Sequence, residues 1–189
     1  IKSYNKLFSS SSQNIYILVD VESTGSIPYK FSMYEFGAIA IIGENNLEKY
    51  SVELELMNDN YDINALKAMN LTINDLKNRD NLVSPKLAML SFENWINELL
   101  TKHNKKRAVF LSDNLAFDWQ WINFYFHYFL ERNPFGFSGR RIGDIFSGLS
   151  SNISDHSSWK KQRITKHDHK SINDALGNAE AFLYFLMKY

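Results

Sequence analysis

The chain has 189 residues, 44% of them hydrophobic and 15% aromatic, which is enough for one domain with a substantial core. Its 21 basic and 21 acidic side chains cancel, so no global basic field marks a protein that coats duplex nucleic acid, and any such contact must be local. The absence of cysteine excludes disulfides, zinc–thiolate sites and cysteine nucleophiles, and no apolar run is long enough to span a bilayer, so the expectation is a cytoplasmic protein with no membrane partner.

The chain opens on Ile1 rather than Met and carries a serine run from Ser9 to Ser12. Residues 1–14 are therefore expected to form a flexible N-terminal segment, and 15–189 a single domain. Ile15-Tyr-Ile-Leu-Val19 reads as a buried central strand, and the Asp20-Val-Glu22-Ser-Thr-Gly25 that follows places two acids at its exit. Strand alternation puts both carboxylates on one face, roughly 7 Å apart. Such a pair holds a proton, opens to water or binds a cation, and an isolated Asp-x-Glu is as readily a solvated strand end.

Phe31 to Ile42, a turn at Gly43-Glu-Asn-Asn46, and an alternating stretch from Tyr50 to Leu56 predict a hairpin added to the first strand. Glu35, inside its first arm, reads as an outward-facing strand residue. Short helices are expected over 62–70 and 72–77, and a longer one over 84–100, opened by Ser84-Pro85. Arg107 to Leu111 is the next strand, followed by a turn and a helix from Leu115 to Leu130. That helix is apolar nearly all round, so it is either buried on several sides or forms an interface, which would make the protein a homodimer. A short helix at 142–149, a polar loop over 152–166 with a helical turn near Trp159, and a last helix from Ser171 to the end complete an α/β pattern: a mixed sheet with helices packed on it.

Three further polar residues stand out. Asp118 lies in the first turn of the aromatic helix, where the helix dipole favours a carboxylate and Asn114 is a candidate cap. An ionised group among so many rings also needs a partner, which a metal would supply. Asp174 fits a capping box opened by Ser171, yet it falls off the apolar stripe of the last helix and is free to face a cleft. His169 precedes that helix in Lys166-His-Asp-His-Lys170 and reads as a surface residue or a general base. His167 and His169 could also pair on a metal, but Mg²⁺ prefers oxygen ligands and no third nitrogen ligand for zinc is indicated.

Taken in order, Asp20-Val-Glu22-Ser-Thr-Gly25, Asn114-Leu-Ala-Phe117-Asp118 and His169-Lys-Ser-Ile-Asn-Asp174-Ala span nearly the whole chain after the serine run. This ordered set resembles the DEDDh-type 3'-5' exonucleases of the DnaQ-like group, in the ribonuclease H-like superfamily. A histidine five residues before the last aspartate separates this type from the tyrosine type, which would carry Tyr where Lys170 stands. Ser171 and Asn173 depart from the Pro or Ala and the Asp often found at those places.

The resemblance implies a ribonuclease H-like mixed β-sheet flanked by α-helices. It implies two Mg²⁺ or Mn²⁺ ions on Asp20, Glu22, Asp118 and Asp174, with Asp20 bridging, and His169 as the base that takes a proton from the attacking water at neutral pH. The partners would be 3' ends of single-stranded RNA or DNA, released as nucleoside 5'-monophosphates. Ser23, Thr24 and Asn114 would contact substrate, with Gly25 permitting close approach of the terminal sugar. Lys160, Lys161, Arg163 and Lys166 either meet phosphates or form a solvated loop, whereas Lys105, Lys106 and Arg107 begin a strand at the end away from the site. The competing reading is a catalytically inactive nucleic-acid-binding or adaptor module on the same fold. The presence of all five catalytic residue types favours the enzyme.

Overall fold

The structure, a computed structural model, describes residues 12–43 and 46–189. Most of the expected N-terminal segment, residues 1–11, lies outside the described residues, as do Glu44 and Asn45 of the expected turn. Asn14 already belongs to the first strand.

Among the described residues five strands form one sheet: β1 (Asn14–Ser23), β2 (Met33–Gly43), β3 (Asn46–Glu53), β4 (Arg107–Ser112) and β5 (Gly139–Arg141), in the order β3-β2-β1-β4-β5. β1 pairs antiparallel with β2 and parallel with β4, so it is central and covered on both faces, which is why its sequence is a continuous apolar run. The helices are α1 (Ile63–Ala68), α2 (Ile73–Lys77), α3 (Pro85–Lys102), α4 (Leu115–Leu130), α5 (Ile142–Leu149) and α6 (Ser171–Lys188), with a 3-10 turn at Ser158–Gln162. Among the described residues no helix is long and apolar enough to cross a membrane.

The alternation of β1 divides the core in two. Ile15, Ile17, Val19 and Val21 face α3 and α4, packing with Phe92, Ile96, Trp121, Tyr125 and Phe126. Tyr16 and Leu18 face α5 and α6, packing with Ile142, Phe146, Ala175 and Phe182. Asp20 and Glu22 continue this second row, so both acids emerge on the α6 side. The aromatic helix α4 is absorbed by the first layer: Phe110 meets Trp119 edge-on at 5.2 Å, and Phe92 stacks on Phe126 at 5.8 Å. Tyr128 is the one large apolar side chain of α4 more than half exposed.

Two local devices set the geometry of the strand end. The register shifts between Glu22 and Ser23, and the Tyr125 hydroxyl of α4 accepts the Met33 N–H at 2.8 Å beside this irregularity. On β2, Gly37 stands opposite Asp20, and a Cβ there would come within 2.5 Å of the Ile172 backbone. Glycine at this position lets the first turn of α6 lie directly on the sheet.

Of the two expected helix caps, one stands in position and the other is corrected. Asn114 does precede α4, but its side chain makes no capping bond; only its carbonyl accepts, from Phe117 and Asp118. Lys170, not Ser171, is the N-cap of α6, so the Ser171–Asp174 box does not form. Ser171 instead donates its N–H (2.9 Å) and hydroxyl (2.6 Å) to Glu35 Oε1 on β2. A carboxylate accepting both bonds outcompetes the local cap because charge-assisted hydrogen bonds are the stronger kind.

Candidate active site

The carboxyl end of β1, the first turn of α4 and the first turn of α6 meet at one place. One ligand oxygen from each of Asp20, Glu22 and Asp174 lies within 4.8 Å of the others. Asp118 stands outside this trio: its Oδ1 accepts the Val21 N–H at 3.1 Å, which ties α4 to the strand between the two strand acids. The Ser112 hydroxyl lies beside it and has no partner of regular geometry. Glu22, Asp118 and Asp174 are 6%, 4% and 1% exposed, so the carboxylates sit under the surface rather than on it.

Burial on this scale disfavours ionisation. Burial first, then the charges of Asp118, Glu22 and Asp174, push the Asp20 carboxyl well above the usual carboxylate range, with Arg163 opposing. Glu22 is raised to about 8 by burial and by Glu35, Asp174 and Asp118, with Arg79 opposing. Asp118 is raised to about 7, burial outweighing Ser112 and the Val21 N–H. Asp174 Oδ2 is buried and, among the described residues, has no aligned hydrogen-bond donor, though His167 Nδ1 lies 2.7 Å away. A converging set of oxygen donors, one of them orphaned and all of them mutually repelling, fits a hard divalent cation, whose charge would relieve the repulsion and fill the missing bond.

The surrounding residues include several that the sequence did not single out. Glu35, the cross-strand neighbour of Glu22, accepts from Ser171 and pairs with Arg79 at 3.3 Å; Arg79 also pairs with Glu53 at 2.9 Å. An acid expected merely to face outward thus fixes the start of the helix that carries Asp174. Gly37 was the readable signal here, since glycine inside a strand marks a close backbone approach. Arg79, in a loop, left none.

The loop before α6 is anchored along most of its length. Trp159 is buried, Arg163 bonds Asn178 and pairs with Asp113 at 3.3 Å, and Glu180 accepts the N–H groups of Ile164 and Thr165 at 3.0 and 2.7 Å. Lys160 is also held by Asp113, at 2.5 Å, so of the four cations expected at phosphates, Lys161 and Lys166 are the exposed ones without such a pair among the described residues. His169 is exposed, in a left-handed conformation with φ of 59°. One of its ring nitrogens lies within 4.8 Å of an Asp174 oxygen and of a His167 nitrogen. His167 Nδ1 is 2.7 Å from Asp174 Oδ2, without hydrogen-bond alignment.

The expected substrate contacts divide. Asn114 is exposed, with its side chain making no cap bond. Thr24 does not offer its hydroxyl: Oγ1 donates to Asn60 O at 2.8 Å and accepts from Ser32 N at 3.0 Å, and the residue is fully buried. Its N–H and carbonyl are engaged with Ser32 and Asp62. Ser23 Oγ donates to Gly25 O at 2.6 Å. The close approach that Gly25 permits is to Phe31, whose ring atoms would lie 2.4 Å from a Cβ. A cleft of about 740 Å³ opens beside the site, lined among others by Glu35, Arg79, Asn70, His169 and Lys170.

No family model matches the chain. A curated Escherichia coli protein, the 3'-5' DNA exonuclease Cap18, is 32% identical over 180 residues, covering 90% of this chain and 90% of that protein. Among solved structures, a 3'-exonuclease in a complex described as 3'-end-specific recognition of a histone mRNA stem-loop superposes with a TM-score of 0.70 at 12% identity, over 95% of this chain and 66% of that one. The zinc-bound E. coli ExoI–ssDNA complex superposes with a TM-score of 0.60 at 15% identity, over 92% of this chain. This chain spans only 40% of the ExoI chain, and at such identities the likeness is one of fold.

Proposed function

The chain belongs to the DnaQ-like 3'-5' exonucleases of the ribonuclease H-like fold, and from that premise we propose that it trims single-stranded DNA from the 3' end, releasing nucleoside 5'-monophosphates, with two Mg²⁺ or Mn²⁺ ions. Its 3'-5' exonuclease character follows from the family. DNA is favoured over RNA because the relative that matches along nearly its whole length is named a DNA exonuclease. The observation that carries the metal-dependent reading is the convergence of Asp20, Glu22 and Asp174 within 4.8 Å at the end of β1.

Asp20, Glu22, Asp118 and Asp174 would hold the ions, which when bound activate water and neutralise charge on the phosphate and leaving 3' oxygen. The protein's own part is placement and proton transfer. The Val21 N–H keeps Asp118 facing the strand end, and Glu35 keeps Asp174 there by holding Ser171. His169, at the rim beside Asp174, takes the proton of the attacking water as general base. Asn114, exposed next to the first turn of α4, and the exposed Lys161 and Lys166 would meet the strand.

The reading is tested with 3'- and 5'-labelled single-stranded DNA and RNA of one sequence, in Mg²⁺, in Mn²⁺ and in EDTA, with His169→Ala alongside. Stepwise loss from the 3' end that needs the ion, is faster on DNA and collapses in the variant is the expected result. No cleavage by folded protein would return the chain to a binding role on the same fold.

A further inference from the structure

We propose that His167, His169 and Asp174 form a separate site for Zn²⁺, sharing Asp174 with the acid trio, and that Zn²⁺ bound there holds the enzyme inactive. This rests on the exonuclease reading above only for its consequence; the site itself stands on geometry.

One ligating atom of each of the three side chains lies within 4.8 Å of the others. A tetrahedral Zn²⁺ with bonds of about 2.0–2.2 Å spaces its ligands roughly 3.3 Å apart, so the three atoms close on an ion through side-chain rotation. Asp174 Oδ2 is buried, has no aligned hydrogen-bond donor, and points toward His167 Nδ1 at 2.7 Å. Its other oxygen is oriented from behind: the Asp168 N–H donates to Oδ1 at 3.2 Å, and Asp168 is itself held by the Lys170 N–H and by Asn173 Nδ2. Support of this kind is what fixes a metal ligand. Both imidazoles are exposed, so an ion has a path in and a fourth position open to water. Two nitrogens and one oxygen suit Zn²⁺ and not Mg²⁺, which takes oxygen ligands and keeps its waters.

The consequence follows from what the ion would occupy. Zn²⁺ on this trio takes the lone pair of the imidazole assigned as base and draws Asp174 away from Asp20 and Glu22. The same loop then serves catalysis without zinc and blocks it with zinc.

Metal-free protein is titrated with Co²⁺, whose visible absorption reports a four-coordinate site, and then with Zn²⁺ and Mg²⁺. One equivalent of absorbance, displaced by Zn²⁺ but not by excess Mg²⁺, is expected. It should be retained in Glu22→Gln and in the surface variant His127→Ala. In His167→Ala, with circular dichroism unchanged, Co²⁺ should bind at least about tenfold more weakly. Zn²⁺ should suppress Mg²⁺-supported cleavage in the parent protein, and His167→Ala should need at least about tenfold more Zn²⁺ for the same suppression. No visible band, a band that survives in His167→Ala, or one lost in Glu22→Gln would overturn the site. Equal Zn²⁺ sensitivity of the two proteins would overturn the inhibition. A failure of the exonuclease reading is distinct, because it shows as absent 3' cleavage in zinc-free Mg²⁺ buffer while the cobalt titration still reports the site.

Discussion

Helices α4 and α6 each deliver an aspartate from their first turn to the end of the same strand, and they do so by opposite means. Asp118 is wired to the strand itself, through the Val21 N–H, inside a layer of aromatic rings. Asp174 is as deeply buried, yet one of its oxygens has no aligned donor, and its neighbours are the exposed His167 and the Asp168 N–H. What holds Asp174 in place is indirect: Glu35 grips Ser171 and Gly37 lets the helix onto the sheet. One half of the site is fixed by the core, and the other is completed by a loop and by whatever binds. An orphaned buried oxygen is costly, and a bound cation is one partner that would relieve that cost at Asp174.

The largest effect should come from removing the charge on which both halves converge. Asp20→Asn or Asp174→Asn should lower Mg²⁺-supported cleavage by on the order of 10⁴-fold, several kcal/mol of transition-state stabilisation. The fold should be unharmed, since in EDTA each variant loses a repelled carboxylate. Single-turnover cleavage and a thermal midpoint measure the two sides, and near-normal turnover would end the metal assignment. His169→Ala should cost roughly 10²-fold in cleavage, within the range for a general base, while single-stranded DNA binding in Ca²⁺ is retained. A larger loss in His167→Ala than in His169→Ala would exchange the two histidines' roles.

The smaller test bears on the indirect half. Glu35→Ala should lower kcat by about tenfold by letting the start of α6 drift, since small misplacements of catalytic groups are expensive. It should also lower stability by about 1–3 kcal/mol, because two donors on Ser171 lose their acceptor. Glu35→Gln keeps an acceptor for Ser171 and loses the Arg79 pair, so it should recover most of the rate. Equal rates for Ala and Gln would mean that the pair with Arg79, not the grip on Ser171, positions Asp174.

The same contrast explains what the sequence made legible. β1 and its two acids were readable because a continuous apolar run ending in Asp-x-Glu is unusual in itself, and α4 because sixteen residues of one pattern outweigh any local ambiguity. The ordered motifs then carried the fold class. What stayed hidden depends on partners far along the chain. Ser171 and Asp174 have the local spacing of a cap, and only Glu35, 136 residues away, overrides it. Thr24 looked free beside a glycine turn, yet its hydroxyl is used by Asn60 and Ser32. The basic loop read as solvated or substrate-bound, whereas Asp113, Asn178 and Glu180 hold much of it on the protein. Periodicity reports which face a side chain takes, not what it meets there.

The remaining test, and the one that sharpens the comparison most, is the pH dependence of stability without metal. Glu22 is raised from 4.5 in a free chain to about 8 in the fold. Below about pH 4.5 both states hold the proton and the fold bears no penalty. As pH rises toward 8 the unfolded chain ionises first, so the folded state loses stability across that window. Asp20 and Asp118 shift in the same direction. The surface acids Asp75, Asp155 and Asp168 have lowered values and act below this window, so they do not oppose the trend there. In EDTA the thermal midpoint should therefore fall by on the order of 5–10 °C between pH 5 and pH 8. Saturating Mg²⁺ should flatten the fall, because an ion that binds only the folded, ionised carboxylates stabilises more as they ionise. Glu22→Gln should reduce the slope in EDTA. A midpoint that rises with pH in EDTA would mean that the acids are already ionised and partnered in the empty protein, and the orphaned oxygen of Asp174 would then need another explanation.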